Sequence, residues 1–317
     1  MLELTQKNWL SYSINGEAWG RRSAPEDKFE VHLTLPTDLP KELPPFHEAI
    51  ADAAECIAEA SVFEHKSKGI TVFYSGGIDS EISLRSLYPV CKRRRIPLRA
   101  VTLEFPDRMN AEDVATAVKL CRELNIRHEV VPHDVARFAE ESMCESMAML
   151  HTCSQIAYLS VLRYVNWYEG DTVVLGGEIL LQKHWVKGVP DWYFVYREDE
   201  DALTYRFSEY FNIPVINEFM SYTPELFFSW LLHPAVQDVF NNSIYKLSMI
   251  SSKNAILKLL YFDALSIQPA ATTKRHGYEQ MLVLNERMQE RFRSQLLPMQ
   301  EARIPVRQLM EMYRVRA

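Results

Sequence analysis

Ile70-Thr71-Val72-Phe73-Tyr74-Ser75-Gly76-Gly77-Ile78-Asp79-Ser80 is the stretch on which the fold turns. The run Ile70–Tyr74 is apolar and β-prone without interruption, as expected of a strand buried on both faces. After the glycines, Ile82, Leu84 and Leu87 recur at helical spacing, and Pro89 reads as the end of that helix. A strand that stops at two glycines and reopens as a helix lets the backbone approach a ligand closely, while the N–H groups at the helix start favour an anion. Ser75 and Ser80 add hydroxyl donors, and Asp79 suits a hard cation such as Mg²⁺. Phosphate is the natural guest, although the Gly-Lys-[Ser/Thr] ending of a Walker-type loop is missing.

Outward from this loop, strands and helices alternate. Phe46, Ile50, Ala54, Ile57, Ala58 and Val62 mark a helix before it; Arg99–Phe105 and His128–Val131 read as further strands, separated by a helix with Val114, Ala117, Val118, Cys121 and Leu124 on one face. Helical stretches over Val135–Leu150 and Ser154–Tyr168 lead to a strand Thr172–Leu175, which runs into a second glycine pair, Gly176-Gly177, and Glu178. Such alternation predicts an α/β fold with an open parallel five-stranded sheet and helices on both faces. The two glycine loops would then flank the point where the strand order reverses, the crevice in which open sheets bind ligands. Residues 1–45 read as a β-rich appendage, with a hairpin at Asn15-Gly16, a strand Phe29–Leu35 and a proline-rich linker. Residues 46–182 form the ligand-binding domain, and 183–317 a mostly helical region completing the site.

Ser75-Gly76-Gly77-Ile78-Asp79-Ser80 resembles the PP-loop of ATP pyrophosphatases, a Rossmann-like group of the HUP type that includes asparagine synthetase, NAD synthetase, GMP synthetase and tRNA thiolases. Ala111–Val131, Val173–Glu178, and Lys253–Lys258 with Thr273–Glu279 are similar to stretches of the asparagine synthetase synthetase domain. That resemblance implies ATP and Mg²⁺ as cofactors, phosphates on residues 75–80 with Gly176 and Gly177 opposite, Asp79 on the metal, and adenine against the backbone near Leu103 and Val130. It implies catalytic roles for Lys253 and Lys274, which would stabilise charge at the α-phosphate, and for Glu178 in proton transfer. The implied activity is an ATP-dependent ligase that turns a carboxylate or carbonyl oxygen into an AMP ester, releases pyrophosphate and then accepts an amine or ammonia. Two positions depart from the family pattern: Leu181 stands where an acidic Mg²⁺ partner is expected, and Thr272-Thr273 where an Arg-Pro-like pair is expected. Residue 2 is Leu2, not the cysteine of a glutaminase domain, so the nitrogen is expected from free ammonia, a substrate amine or a separate protein.

Composition sets the limits. Among 317 residues there are 10 glycines, about 3% against a usual share of about 7%, and four of them form the two Gly-Gly pairs. A net charge of −7 argues against a broad nucleic-acid footprint. The five cysteines form no C-x-x-C pair and read as free thiols, and with no apolar run of membrane-spanning length a cytoplasmic protein without membrane contact is expected. The basic run Lys92–Arg95 reads as a helix terminus or an RNA contact, and the aromatic crowd Trp185–Phe211 as core, pocket wall or partner surface. Two rival functions stay open: modification of a tRNA base, for which Cys153 is the best-placed thiol, and a nucleotide-binding protein with a decayed site, suggested by Leu181.

Overall fold

The computed structural model describes residues 9–18, 22–135, 137–138, 156–176, 180–186, 189–241, 260, 286, 290 and 297–316. At the N-terminus β1 (Leu10–Ile14) and β2 (Glu17–Ala18) form an antiparallel hairpin, and β3 (Phe29–Leu33) pairs with the other side of β1. The turn is the one expected, because Asn15 (φ 50°) and Gly16 (φ 79°) both take the left-handed conformation that Asn-Gly tolerates. The sheet packs on the rest of the chain: Trp9 is buried against Phe227 and donates its indole N–H to the Ser221 carbonyl at 3.0 Å.

The α/β part follows: α1 (Phe46–Glu59), β4 (Ile70–Phe73), α2 (Ile78–Arg94), β5 (Leu98–Glu104), α3 (Ala111–Glu123), β6 (Arg127–Pro132), α4 (Ile156–Val165) and β7 (Thr172–Val174). Pro89 does not end its helix, and α2 continues to Arg94. The proline removes one backbone bond, while Leu87, Val90 and Cys91, all buried, hold the next turn in place. The basic run after it docks α2 on α1: Arg93 pairs with Glu55, and Arg94 reaches Glu55 and Glu59 at 2.6 Å each. That pairing serves the helix-terminus reading of the run.

Beyond β7 come β8 (Leu180–Val186), β9 (Val189–Arg197), α5 (Leu203–Phe211), β10 (Val215–Ile216), α6 (Pro224–Leu231), α7 (Pro234–Asn241), β11 (Glu301–Pro305) and α8 (Val306–Arg316). Among the described residues this region holds α5 to α8 together with an antiparallel sheet in the order β11-β9-β8, which the reading as mostly helical did not include. Part of the aromatic crowd is explained by it. Trp192, Phe194 and Tyr196 alternate on β9 and are buried, with Phe194 against Phe227 and Trp230.

The parallel sheet has five strands in the order β10-β7-β4-β5-β6, as expected of the fold class. Its two faces carry separate cores. Val72, Tyr74 and Ala100 pack with α1, α2 and α3, whereas Phe73, Val101, Val131, Val173 and Val215 pack with α4 and α5. Strand order reverses between β4 and β7: the chain moves from β4 through β5 to β6 on one side, then returns to lay β7 and β10 on the other. Cys56, Cys91 and Cys121 are free thiols. Among the described residues no helix is long and apolar enough to cross a membrane.

His133, just past β6, is buried between the sheet and α4, where its Nε2 lies 2.9 Å from the Ser160 hydroxyl. Burial pushes its pKa down to about 4, with Asp134 opposing the shift and Arg163 assisting it. The unfolded chain takes up this proton near pH 6.5 and the folded one only near 4, so stability is full above pH 6.5 and falls as the pH drops through that window. The expected loss is about 3 kcal/mol by pH 4, with half-buried His65 and His128 acting in the same direction. Urea unfolding at pH 7, 5 and 4 checks it: His133→Asn must flatten the dependence, and an unchanged slope contradicts this assignment.

Candidate nucleotide site

The loop after β4 is closed by its own hydroxyls. Ser80 Oγ accepts the Ser75 N–H at 3.2 Å and donates to the Gly77 carbonyl at 3.1 Å. With that hydrogen used, the 3.1 Å contact between the two hydroxyls has Ser75 donating, and Ser75 Oγ in turn accepts the Gly77 N–H at 3.3 Å. Gly77 is the N-cap of α2 in extended conformation with no side-chain cap, so the first turn, Ile78–Ser80, presents its backbone donors at the C-terminal edge of the sheet. Asp79 stands half-exposed in the same turn, while Ile78 and Ser80 are buried.

Gly76 and Gly176 are packed too tightly for a side chain. Gly76 has φ +82°, and a Cβ there would lie 2.4 Å from the Asp113 carbonyl oxygen, so the loop leans on the first turn of α3. A Cβ on Gly176, which follows β7, would lie 2.4 Å from Ser80 Cβ and 2.9 Å from its Cα. The two loops therefore meet at the reversal point of the sheet, as the sequence predicts. Ser75 to Ser80 and Gly176 come together there. Gly177, Glu178, Lys253 and Lys274 lie outside the described residues, as do Cys153 and Thr272-Thr273.

On the other side of β4 the ladder ends in a distinctive way. The Tyr74 N–H donates to the Val101 carbonyl at 2.7 Å, but the Tyr74 carbonyl accepts the Thr102 hydroxyl at 2.6 Å, and Thr102 is in turn 2.8 Å from His128 Nε2. Leu103 lies two residues beyond Val101, so in the pleat its backbone groups face the same side, toward the loop. Val130 sits one strand further out, paired with Thr102, and its side chain is about one-third exposed. Leu181 is not placed as a metal partner: it faces Phe194 across the β8–β9 ladder and is buried in the core.

Two residues that sequence reasoning passed over shape this edge. Asn110 is the N-cap of α3, but its side chain does not cap; Nδ2 donates to the Leu103 carbonyl at 2.8 Å and Oδ1 accepts the Phe105 N–H at 2.9 Å. An asparagine before a helix reads as a cap, and nothing local signals that it turns back onto the preceding strand. Thr102 is the other, hidden within an ordinary strand pattern.

No protein-family model and no curated protein matches the chain. Among solved structures it is similar to the NMN synthetase of Francisella tularensis (15% identity, TM-score 0.32, 54% of this chain and 72% of that one). It is similar also to the NH3-dependent NAD synthetase of Campylobacter jejuni (13%, TM-score 0.30, 78% and 94%). A third similar structure is the U34-tRNA thiolase of Methanococcus maripaludis with its [4Fe-4S] cluster (13%, TM-score 0.31, 77% and 80%). At such scores the function has to be argued from this chain's own residues.

Proposed function

We propose that the protein binds ATP·Mg²⁺ with the phosphates on residues 75–80 and uses it to adenylate a small-molecule carboxylate or carbonyl oxygen. The observation that carries this reading is the close packing of Gly176 on Ser80, beside Gly76 packed on Asp113, at a helix start with no side-chain cap. A polyanion is the ligand for which backbone donors, a helix dipole and the absence of Cβ atoms are all useful at once. Asp79 is the residue offered to Mg²⁺, and the Leu103 backbone is offered to the base. In the reaction the substrate oxygen attacks the α-phosphorus, the bond to the bridging oxygen breaks and pyrophosphate leaves. An amine or ammonia nitrogen then attacks the activated carbon, and AMP departs with the ester oxygen. Lys253, Lys274 and Glu178 are assigned to this chemistry by resemblance alone.

Pyrophosphate release in the presence of ATP, Mg²⁺, ammonium and a panel of carboxylates tests the reading. A cognate carboxylate should stimulate release, and Asp79→Ala should lower it on the order of 100-fold. Absence of ATP binding, together with indifference to Asp79→Ala, overturns it.

A further inference from the structure

Resting on the reading that a polyphosphate lies on the opening turn of α2, we infer that Arg85 is a positioning residue for that ligand, because through Glu81 it keeps the floor of the anion site free of net negative charge. The first turn of α2 holds two carboxylates in different surroundings. Asp79 is half-exposed and is the residue offered to Mg²⁺, whereas Glu81 is fully buried, with 0% exposure. The Glu81 N–H donates to the Gly77 carbonyl at 3.0 Å, so its backbone lies within one helical turn, about 5 Å of rise, of the donors at Ile78–Ser80. One turn further on, Arg85 Nε donates to Glu81 Oε1 at 2.7 Å, and the arginine side chain is only 15% exposed.

Magnitudes decide what the pair does at this place. A helix N-terminus acts as roughly half a positive charge, while an uncompensated carboxylate carries a full negative one. Without Arg85, Glu81 would more than cancel the field that draws a polyanion to these N–H groups. Solvent screens such a charge little, because buried groups are screened far less than exposed ones. Its field is felt at the entrance to the loop: burial first, then the Glu81 charge, push the phenol of buried Tyr74 above its ordinary range, and Arg85 opposes them. Tyr74 directly precedes Ser75. Asp113, whose backbone packs on Gly76, adds a third carboxylate to the same neighbourhood. With Arg85 in place, the phosphates meet the helix dipole instead of a buried anion.

Calorimetric titration of the full chain and three variants with ATP·Mg²⁺, and with uncharged adenosine, tests this. Arg85→Met, which leaves Glu81 charged and alone, should weaken ATP·Mg²⁺ at least about tenfold and adenosine no more than about threefold, because the repulsion acts on charge. Glu81→Gln, which leaves the cation, should tighten ATP·Mg²⁺ by about two- to fivefold, and the double variant should return to within about threefold of wild type. A purely structural ion pair gives a different pattern: each single change breaks the same contact, so both weaken binding, and both ligands suffer alike. Unchanged or lower ATP affinity in Glu81→Gln, an equal loss of ATP and adenosine in Arg85→Met, or a double variant as weak as Arg85→Met overturns the role of Arg85 while the ATP site stands. Should Arg85→Met fail to fold, the sign of the Glu81→Gln change decides by itself. Failure of wild type to bind ATP·Mg²⁺ overturns the underlying reading and this role with it.

Discussion

Gly176→Ala is expected to weaken ATP·Mg²⁺ binding by at least about 100-fold, a loss on the order of 3 kcal/mol. The new Cβ would lie 2.4 Å from Ser80 Cβ, 2.9 Å from its Cα and 3.1 Å from its N, so no flexible side-chain tip can swing aside. Either the loop after β7 or the first turn of α2 must move, and the latter carries the donors proposed for the phosphates. Overpacking of this kind also costs about 1–3 kcal/mol of stability, which should appear as a melting temperature lower by several degrees. Gly16→Ala is the control: it forces a left-handed residue, at φ +79°, which Gly176→Ala does not, yet its Cβ would meet nothing within 4 Å. Calorimetry with both variants separates the cases, because only Gly176→Ala should lose the nucleotide. Equal affinity in the two would remove the second loop from the site.

Arg22→Ala is expected to destabilise the protein by about 3–5 kcal/mol, the loss typical of removing one partner of a buried ion pair. Arg22 and Glu198 are each 1% exposed, with 2.8 Å between NH1 and Oε2. The same guanidinium donates to the Pro298 carbonyl at 2.6 Å and to the Pro25 carbonyl at 3.3 Å, so one side chain ties the N-terminal segment to the start of the C-terminal strap. Gln300 doubles the tie by accepting the Phe29 N–H at 2.8 Å and donating to the Asp27 carbonyl at 2.6 Å. Urea unfolding should show a lower midpoint at an unchanged slope. The double variant Arg22→Ala/Glu198→Gln should recover part of the loss, since it no longer buries a carboxylate without its guanidinium. A change below 1 kcal/mol in the single variant contradicts the assignment.

What was legible in the sequence depended on whether the signal was local. The strand–loop–helix at residues 70–94 could be read because an unbroken apolar run, two glycines and a helical period adjoin one another. The Asn15-Gly16 hairpin was legible for the same reason. Strand β10 could not be read, because two residues, Val215 and Ile216, show no period; it exists because β7 offers it an edge. The β8–β9 hairpin did carry an alternating pattern, but its aromatic density obscured the period-2 signal. At the site, the glycines marked the loops, yet what they touch, Asp113 and Ser80, is tens of residues or more away in sequence. The back-turned Asn110 was invisible for a different reason: its sequence context fits a helix cap equally well.

The most direct test of the central claim is a crystal structure of the protein soaked with Mg²⁺ and a non-hydrolysable ATP analogue. The triphosphate should lie on the N–H groups that open α2, between the loops after β4 and β7, with the metal near Asp79 and the base against Leu103. Density for the nucleotide anywhere else on the protein, or its absence at millimolar analogue, would contradict the account.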